Sequence, residues 1–197
     1  MEKAKRKVLV VVMDGIGERN SRYGNAVKLA YTPNLNFLRK QGLYRTLKAH
    51  GTYVGLPSDS DIGNSEVGHN ALGAGRVFDQ GAKLVQNALT DGSLFRGAGW
   101  TEIVRNVQRN KSCLHFIGLL SDGNVHSHEE HLYSLLRQSK KDGVTKVRLH
   151  LLLDGRDVSE KSAEVYLERL EKVLADLASD AFDVKAVSYT HLTLPTI

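Results

Sequence analysis

The stretch Asp61 to Asn70, "DIGNSEVGHN", sets one serine among two glycines, an amide, a carboxylate and an imidazole. Three uses fit such a set: a nucleophile, an anion-binding turn or a helix cap. The nucleophile elbow G-x-S-x-G is not matched, because Gly68 falls one place late, so a Ser-His-Asp hydrolase has little support. As a cap, Ser65 opens a helix through Glu66 and Val67. A helix start also offers unpaired backbone N–H groups and the positive end of the dipole, which suits a phosphoryl group on that serine. A serine hydroxyl is a weak nucleophile until a base or a metal activates it. A divalent cation lowers the pKa of bound water from about 15.7 to about 7, and stabilises an alkoxide in the same way. Asp14, at the end of the apolar run Val8 to Met13, is a fitting carboxylate ligand. Glu66, His69 and Asn70 read as scaffolding of the serine loop.

A second group of polar residues lies further along. Arg156 carries a planar guanidinium that can grip carboxylate or phosphate with two prongs. Asp157 beside it can orient a hydroxyl or accept its proton. His126 can donate to phosphate oxygens. Each also has a plain structural alternative, a turn for Arg156–Asp157 and a surface position for His126. The run His126 to His131, "HSHEEH", imitates the H-x-H-x-D-H ligand set of binuclear metallohydrolases. Ser127 and Glu130 stand in capping-box spacing, which accounts for the run without metal.

These residues need elements to hold them. Three apolar runs end in Asp-Gly: "VLVVVMDG" (Val8 to Gly15), "HFIGLLSDG" (His115 to Gly123) and "RLHLLLDG" (Arg148 to Gly155). Runs of this length, rich in Val, Ile and Leu, suit strands buried on both faces. Helical patterns separate them. One starts at Ser127, carries Leu132, Leu135 and Leu136 on one face and stops at Gly143. Another runs from about Ser162 to Ala178, with Val165, Leu170, Val173, Leu174 and Leu177 together. A further strand starts at Phe182. Strand alternating with helix implies an α/β protein with parallel-rich sheets flanked by helices. Ligands then gather beyond the carboxyl ends of the strands, so Asp14, Asp122 and Asp154 are expected on a polar rim. The Gly-rich stretch Lys48 to Gly81 lacks periodicity and reads as a functional loop ending in a hinge at Gly73 to Arg76.

Bulk properties narrow the class. The chain has 197 residues, 41% hydrophobic and 25% charged, the balance of a globular protein. A net charge of +5 is modest, and its Lys and Arg are dispersed, which argues against nucleic acid. Cys113 is the single cysteine, so no internal disulfide forms and a reducing, cytoplasmic setting is expected. No apolar run reaches the roughly 20 residues of a membrane span, and no small-residue cleavage site follows the run Val8 to Met13, so it is not expected to be a signal peptide. A monomer is expected.

Five segments stand in order: "VMDGIG" (Val12 to Gly17), "TPNLNFL" (Thr32 to Leu38), "VGLPSDSDIGNSEVGHNALGAGR" (Val54 to Arg76), "LLSDGNVHSH" (Leu119 to His128) and "LLDGRD" (Leu152 to Asp157). Together they resemble the cofactor-independent (2,3-bisphosphoglycerate-independent) phosphoglycerate mutases, members of the alkaline-phosphatase-like metalloenzymes. The resemblance runs from about Lys7 to about Val187. It implies interconversion of 3-phosphoglycerate and 2-phosphoglycerate through a phosphoserine intermediate, a step of glycolysis and gluconeogenesis. It implies that Asp14 ligates metal, that Ser65 carries the phosphate and ligates the same metal, and that His126, Arg156 and Asp157 bind phosphoglycerate. Two divalent ions, Mn²⁺ or Mg²⁺, are implied for a complete chain.

The resemblance also implies a division of the chain. Residues 1–79 are the first part of a metal-binding phosphatase-like domain, residues 80–188 part of an inserted transferase domain, and residues 189–197 a tail foreign to the family. The remaining metal ligands and substrate arginines of the family lie outside this chain, so the chain alone is expected to be inactive. Two alternatives stand beside the mutase: a metal-dependent phosphatase of the same superfamily, and a zinc hydrolase built on His126 to His131.

Overall fold

The computed structural model describes residues 9–13, 15–42 and 44–191, with the backbone alone at His191. The chain forms two compact units, residues 1–48 and residues 49–197.

The first unit holds two short helices, α1 (Ala26–Leu29) and α2 (Pro33–Gln41). Asn25 caps α1, its side chain accepting the Lys28 N–H at 3.0 Å. Pro33 opens α2, where its missing N–H would have no helical partner. Neither helix has a buried residue. The apolar run expected as the first strand is not a strand over residues 9–13, and Leu9 and Val10 are 86% and 77% exposed. A strand exists only where a neighbour takes its N–H and C=O groups, and the sheet among the described residues contains no strand from this segment. Asp14 lies outside the described residues.

The second unit begins with a 3₁₀ turn, Gly51–Val54, followed by α3 (Ser65–Ala74). Val54, Leu56 and Val67 form a small core beneath them. Three helices follow: α4 (Gly81–Thr90), α5 (Ser93–Arg96) and α6 (Ala98–Asn110). Then strands and helices alternate: β1 (Leu114–Leu120), α7 (Glu129–Lys141), β2 (Lys146–Leu153), α8 (Ala163–Leu177) and β3 (Asp183–His191). The strands make a parallel sheet in the order β1-β2-β3. In register, Leu114 faces Val147 and Leu120 faces Leu153. A bulge interrupts the β2–β3 ladder between Leu149 and His150.

Burial along β2 alternates. Val147, Leu149, Leu151 and Leu153 point into one core with Trp100, Val104 and Val107 of α6, Leu136 of α7, and Tyr166, Leu170 and Leu174 of α8. The expectation of strands buried on both faces is corrected here. Helical side chains form the core on one face, while Ile117 of β1 and Tyr189 of β3 stay exposed. His115 and His150 lie within hydrogen-bond distance of each other, and His150 in turn of Ser188. α8 ends as expected, but Tyr166 rather than Val165 turns inward.

Candidate functional site at the carboxyl edge of the sheet

Ser65 is the first residue of α3, not its cap. The cap is Asn64, whose side-chain oxygen accepts the Val67 N–H at 3.1 Å. Ser65 is exposed at a helix start, where first-turn amides lack helical acceptors. His69 stands one turn on. Its Nδ1 lies 2.7 Å from the Ser65 carbonyl oxygen and 3.1 Å from Ser65 Oγ. A carbonyl oxygen only accepts, so Nδ1 carries the proton in the shorter contact. His69 thus cannot take the serine's proton at that atom, which removes a Ser–His dyad and leaves His69 a scaffold of the loop.

The loop before α3 is held by backbone contact. The Gly63 N–H donates to His50 Nδ1 at 2.8 Å. A Cβ on Gly63 would lie 1.8 Å from the Ala49 carbonyl oxygen, so only glycine fits. Asp61 accepts the Ser58 N–H at 2.7 Å through one carboxylate oxygen and Asn124 Nδ2 at 2.9 Å through the other. The segment Lys48 to Gly81, expected as a loop, is therefore ordered by a turn, a helix and these bonds. Gly73 and Ala74 end α3, and Gly75 caps it.

The second cluster sits after β1 and β2. His126 Nε2 lies 3.9 Å from Asp157 Oδ2, with His126 exposed and Asp157 nearly buried. Arg156 is exposed beside them. Asp154 makes this turn. It is 6% exposed and accepts Ser121 Oγ at 2.6 Å, the Arg156 N–H at 2.9 Å and the Asp157 N–H at 3.1 Å. Burial acts to raise its carboxyl, but hydrogen bonds from Ser121 and the amides of Arg156, Asp157 and Gly155 prevail and hold it below the usual carboxylate range. Gly123 lets the two turns approach. A Cβ there would lie 2.9 Å from the Asp157 Cβ.

Two expectations for the rim are corrected. Asp154 faces inward as an anchor for backbone amides, because an Asp two residues before an amide closes its own turn. Asp122 turns toward α8, accepting Tyr166 Oη at 2.6 Å and Arg169 at 3.1 Å. Burial acts to raise Asp122, yet these bonds and the charges of Arg169 and His128 hold it low. Burial, the bond to Asp122 and its charge push Tyr166 up to about 12. Arg169 also reaches the buried Glu129 at 2.9 Å, and Tyr133 donates to Glu129 at 3.0 Å. This brace joins the β1 loop, α7 and α8 behind the site. It was not foreseen in the sequence, where only the spacing of Tyr166 and Arg169 on one helical face hinted at it.

The capping box is corrected as well. Ser127 donates to the Leu119 carbonyl at 2.7 Å, and His128 caps α7, its Nδ1 accepting the Glu130 N–H at 3.2 Å. His131 contacts Gln86 at 3.1 Å. Burial, then the charge of His128, lowers the His131 pKa. Within the run His126 to His131, the His128 and His131 rings lie 5.6 Å apart, but they gather no third ligand among the described residues. Among the described residues no three His, Cys, Asp or Glu side chains are grouped to hold a metal ion. Among them, too, no helix is long and apolar enough to cross a membrane.

A parallel sheet flanked by helices, with polar side chains at its carboxyl edge, defines an α/β protein of the kind that takes a small ligand at strand ends. Residues 85–187, just over half of the chain, match the family described as BPG-independent PGAM N-terminus. The chain belongs to this family of BPG-independent phosphoglycerate mutases. It is 49% identical over 185 residues to a probable 2,3-bisphosphoglycerate-independent phosphoglycerate mutase of Leptospira interrogans, covering 93% of this chain and 34% of that one. The corresponding enzyme of Zea mays is 47% identical over 185 residues, with 93% and 33% covered. Among solved structures, the phosphoglycerate mutase of Leishmania mexicana at low cobalt concentration superposes with a TM-score of 0.76 at 45% identity, over 83% of this chain and 30% of that one. The chain spans about a third of the length of the curated relatives it matches.

Proposed function

We propose that this chain supplies the phosphate-carrying serine and part of the substrate cradle of a mutase that interconverts 3-phosphoglycerate and 2-phosphoglycerate. The observation that carries this reading is the meeting of His126 and Asp157 at the carboxyl edge of the sheet, Nε2 to Oδ2 3.9 Å, in a member of this family. An imidazole and a carboxylate side by side suit a substrate that offers both anionic oxygens and hydroxyls.

In the forward step Ser65 Oγ attacks phosphorus, the bond from phosphorus to the C3 oxygen breaks, and the serine proton passes to that oxygen. The glycerate turns in place. Its C2 hydroxyl then attacks the phosphoserine, the bond from phosphorus to Ser65 Oγ breaks, and the proton returns to the serine. His126 and Arg156 hold phosphate and carboxylate oxygens, while Asp157 orients the attacking hydroxyl, takes its proton and passes that proton on to the leaving serine oxygen. The start of α3 favours the added charge on Ser65.

Asp14 and Ser65 are the residues proposed to hold a divalent cation. Both offer hard oxygen donors, which fit Mg²⁺ or Mn²⁺. When bound, such an ion lowers the pKa of the oxygen it touches. Residues 1–79 are proposed as the first part of the metal-binding domain and residues 80–188 as part of the transferase domain; the boundary expected at residue 189 falls inside β3, which continues beside β2 to His191.

Mass spectrometry of the complete enzyme after incubation with substrate tests the reading. Phosphate is expected on Ser65, and Ser65→Ala is expected to lose both the phosphate and turnover. Turnover by Ser65→Ala, or phosphate on another residue, overturns it.

A further inference from the structure

Asn124 has φ +56°, one of two non-glycine residues with positive φ among the described residues. Asparagine adopts this conformation more readily than most residues, and unlike glycine it brings a side chain that can bond. Its Nδ2 donates to Asp61 Oδ1 at 2.9 Å, across 63 residues of sequence. Its own N–H donates to the Ser127 carbonyl at 3.1 Å and closes the turn that carries His126. Asp61 uses its other oxygen on the Ser58 N–H at 2.7 Å, and its carbonyl accepts the Gly51 N–H at 3.0 Å. Three residues on, Asn64 caps the helix that Ser65 begins. One carboxylate thus grips the turn before Ser65 with one oxygen and the turn before His126 with the other.

We propose that the Asp61–Asn124 hydrogen bond is a positioning contact that sets Ser65 against the His126–Asp157 pair during phosphoryl transfer and keeps water from competing for the phosphoserine. The proposal rests on the mutase reading above. The serine must give its phosphate to a glycerate that has turned within the site, and a displacement of about 1 Å between reacting groups can cost about a hundredfold in rate. When the return is slow, water attacks instead. The bond from phosphorus to Ser65 Oγ breaks, the serine regains its proton, and inorganic phosphate and glycerate leave.

Asn124→Gly separates this role from folding, because it keeps the turn and deletes only the amide. In the full-length enzyme that carries this segment, this variant is expected to keep its melting temperature and its KM for 3-phosphoglycerate. Its kcat is expected to fall about tenfold, and phosphate release relative to isomerisation to rise by about as much. Asp61→Ala is expected to change the same ratio, and the double variant to be no worse than the more impaired single. Asp61→Asn keeps its amide oxygen as acceptor for the Ser58 N–H and can donate from its NH2 to Asn124 Oδ1 once the Asn124 amide turns over, so it is expected to keep most of the wild-type ratio. An unchanged ratio in Asn124→Gly, or additive losses in the double variant, overturns the positioning role while leaving the mutase reading intact. A wild-type enzyme that releases phosphate but never isomerises overturns the mutase reading, and the positioning role with it.

Discussion

Asp154 shows how one side chain can serve a site without touching a ligand. It collects Ser121 Oγ and the amides of Arg156 and Asp157, so the direction of both expected substrate residues depends on it. Asp154→Ala leaves these donors unsatisfied in a buried turn and is expected to cost about 1–3 kcal/mol in urea unfolding. Asp154→Asn keeps an acceptor for the amides and should cost less. The depressed pKa of Asp154 gives the sign of a pH effect. Its contribution is fully present above the unfolded value near 3.9 and fades as pH falls through the lower folded value. Asp154→Asn should therefore flatten the loss of stability below about pH 4, although Asp122, also held low, keeps part of the slope. An unaltered acid profile would show that Asp154 is not ionised in the folded turn. The placement of His126 after β1, and of Arg156 and Asp157 after β2, was legible because each follows an apolar run that ends in Asp-Gly. The Asp154 anchor was not, since an Asp in an Asp-Gly pair reads alike whether it faces solvent or its own backbone; Asp61 was not either, since its partner Asn124 lies 63 residues away. Gly123 gave no signal either, because the close approach it permits comes from a turn 34 residues away.

At the level of elements, the start of α7 separates two readings of the same letters. Ser127 and Glu130 have capping-box spacing, yet Ser127 is drawn to the Leu119 carbonyl and His128 takes the cap. His128→Ala is therefore expected to cost about 1 kcal/mol and to speed hydrogen exchange in the first turn of α7. Ser127→Ala should leave those amides protected and instead loosen the end of β1. The reverse pattern would restore the capping box. The strand–helix alternation from β1 to β3 was legible because Val, Leu and Ile runs alternate with amphipathic segments. The range of α8 was met to within a residue. α6 was overlooked, although Trp100, Val104 and Val107 recur at helical spacing and all three are buried. The first apolar run misled because composition records how well a segment suits a sheet, not whether a neighbouring strand is present to accept it.

For the molecule as a whole, the two units differ in what holds them. Residues 49–191 own the principal core, where Leu136, Val147, Leu149 and Leu170 are wholly buried. In residues 15–42, by contrast, neither helix buries a residue. Local opening costs least where few apolar contacts and many exposed backbone bonds occur, so trypsin should cut the 197-residue chain first within residues 15–48. The segment from α4 to β3 should survive as the resistant product. Amides of residues 9–13 should exchange far faster than those of β2, and protection equal to that of β2 would mean that the run is a buried strand after all. The same asymmetry bears on chemistry. The proposed ligands Asp14 and Ser65 would supply two oxygen donors, whereas a tight divalent site takes about four to six, and the chain covers about a third of its relatives' length. The isolated chain is thus expected to bind Mn²⁺ weakly in calorimetric titration and to show no mutase turnover. Adding the remaining two-thirds of a relative's sequence should restore both together. Turnover by the isolated chain would place the whole phosphoryl-transfer machinery within these 197 residues and would require ligands other than Asp14 and Ser65.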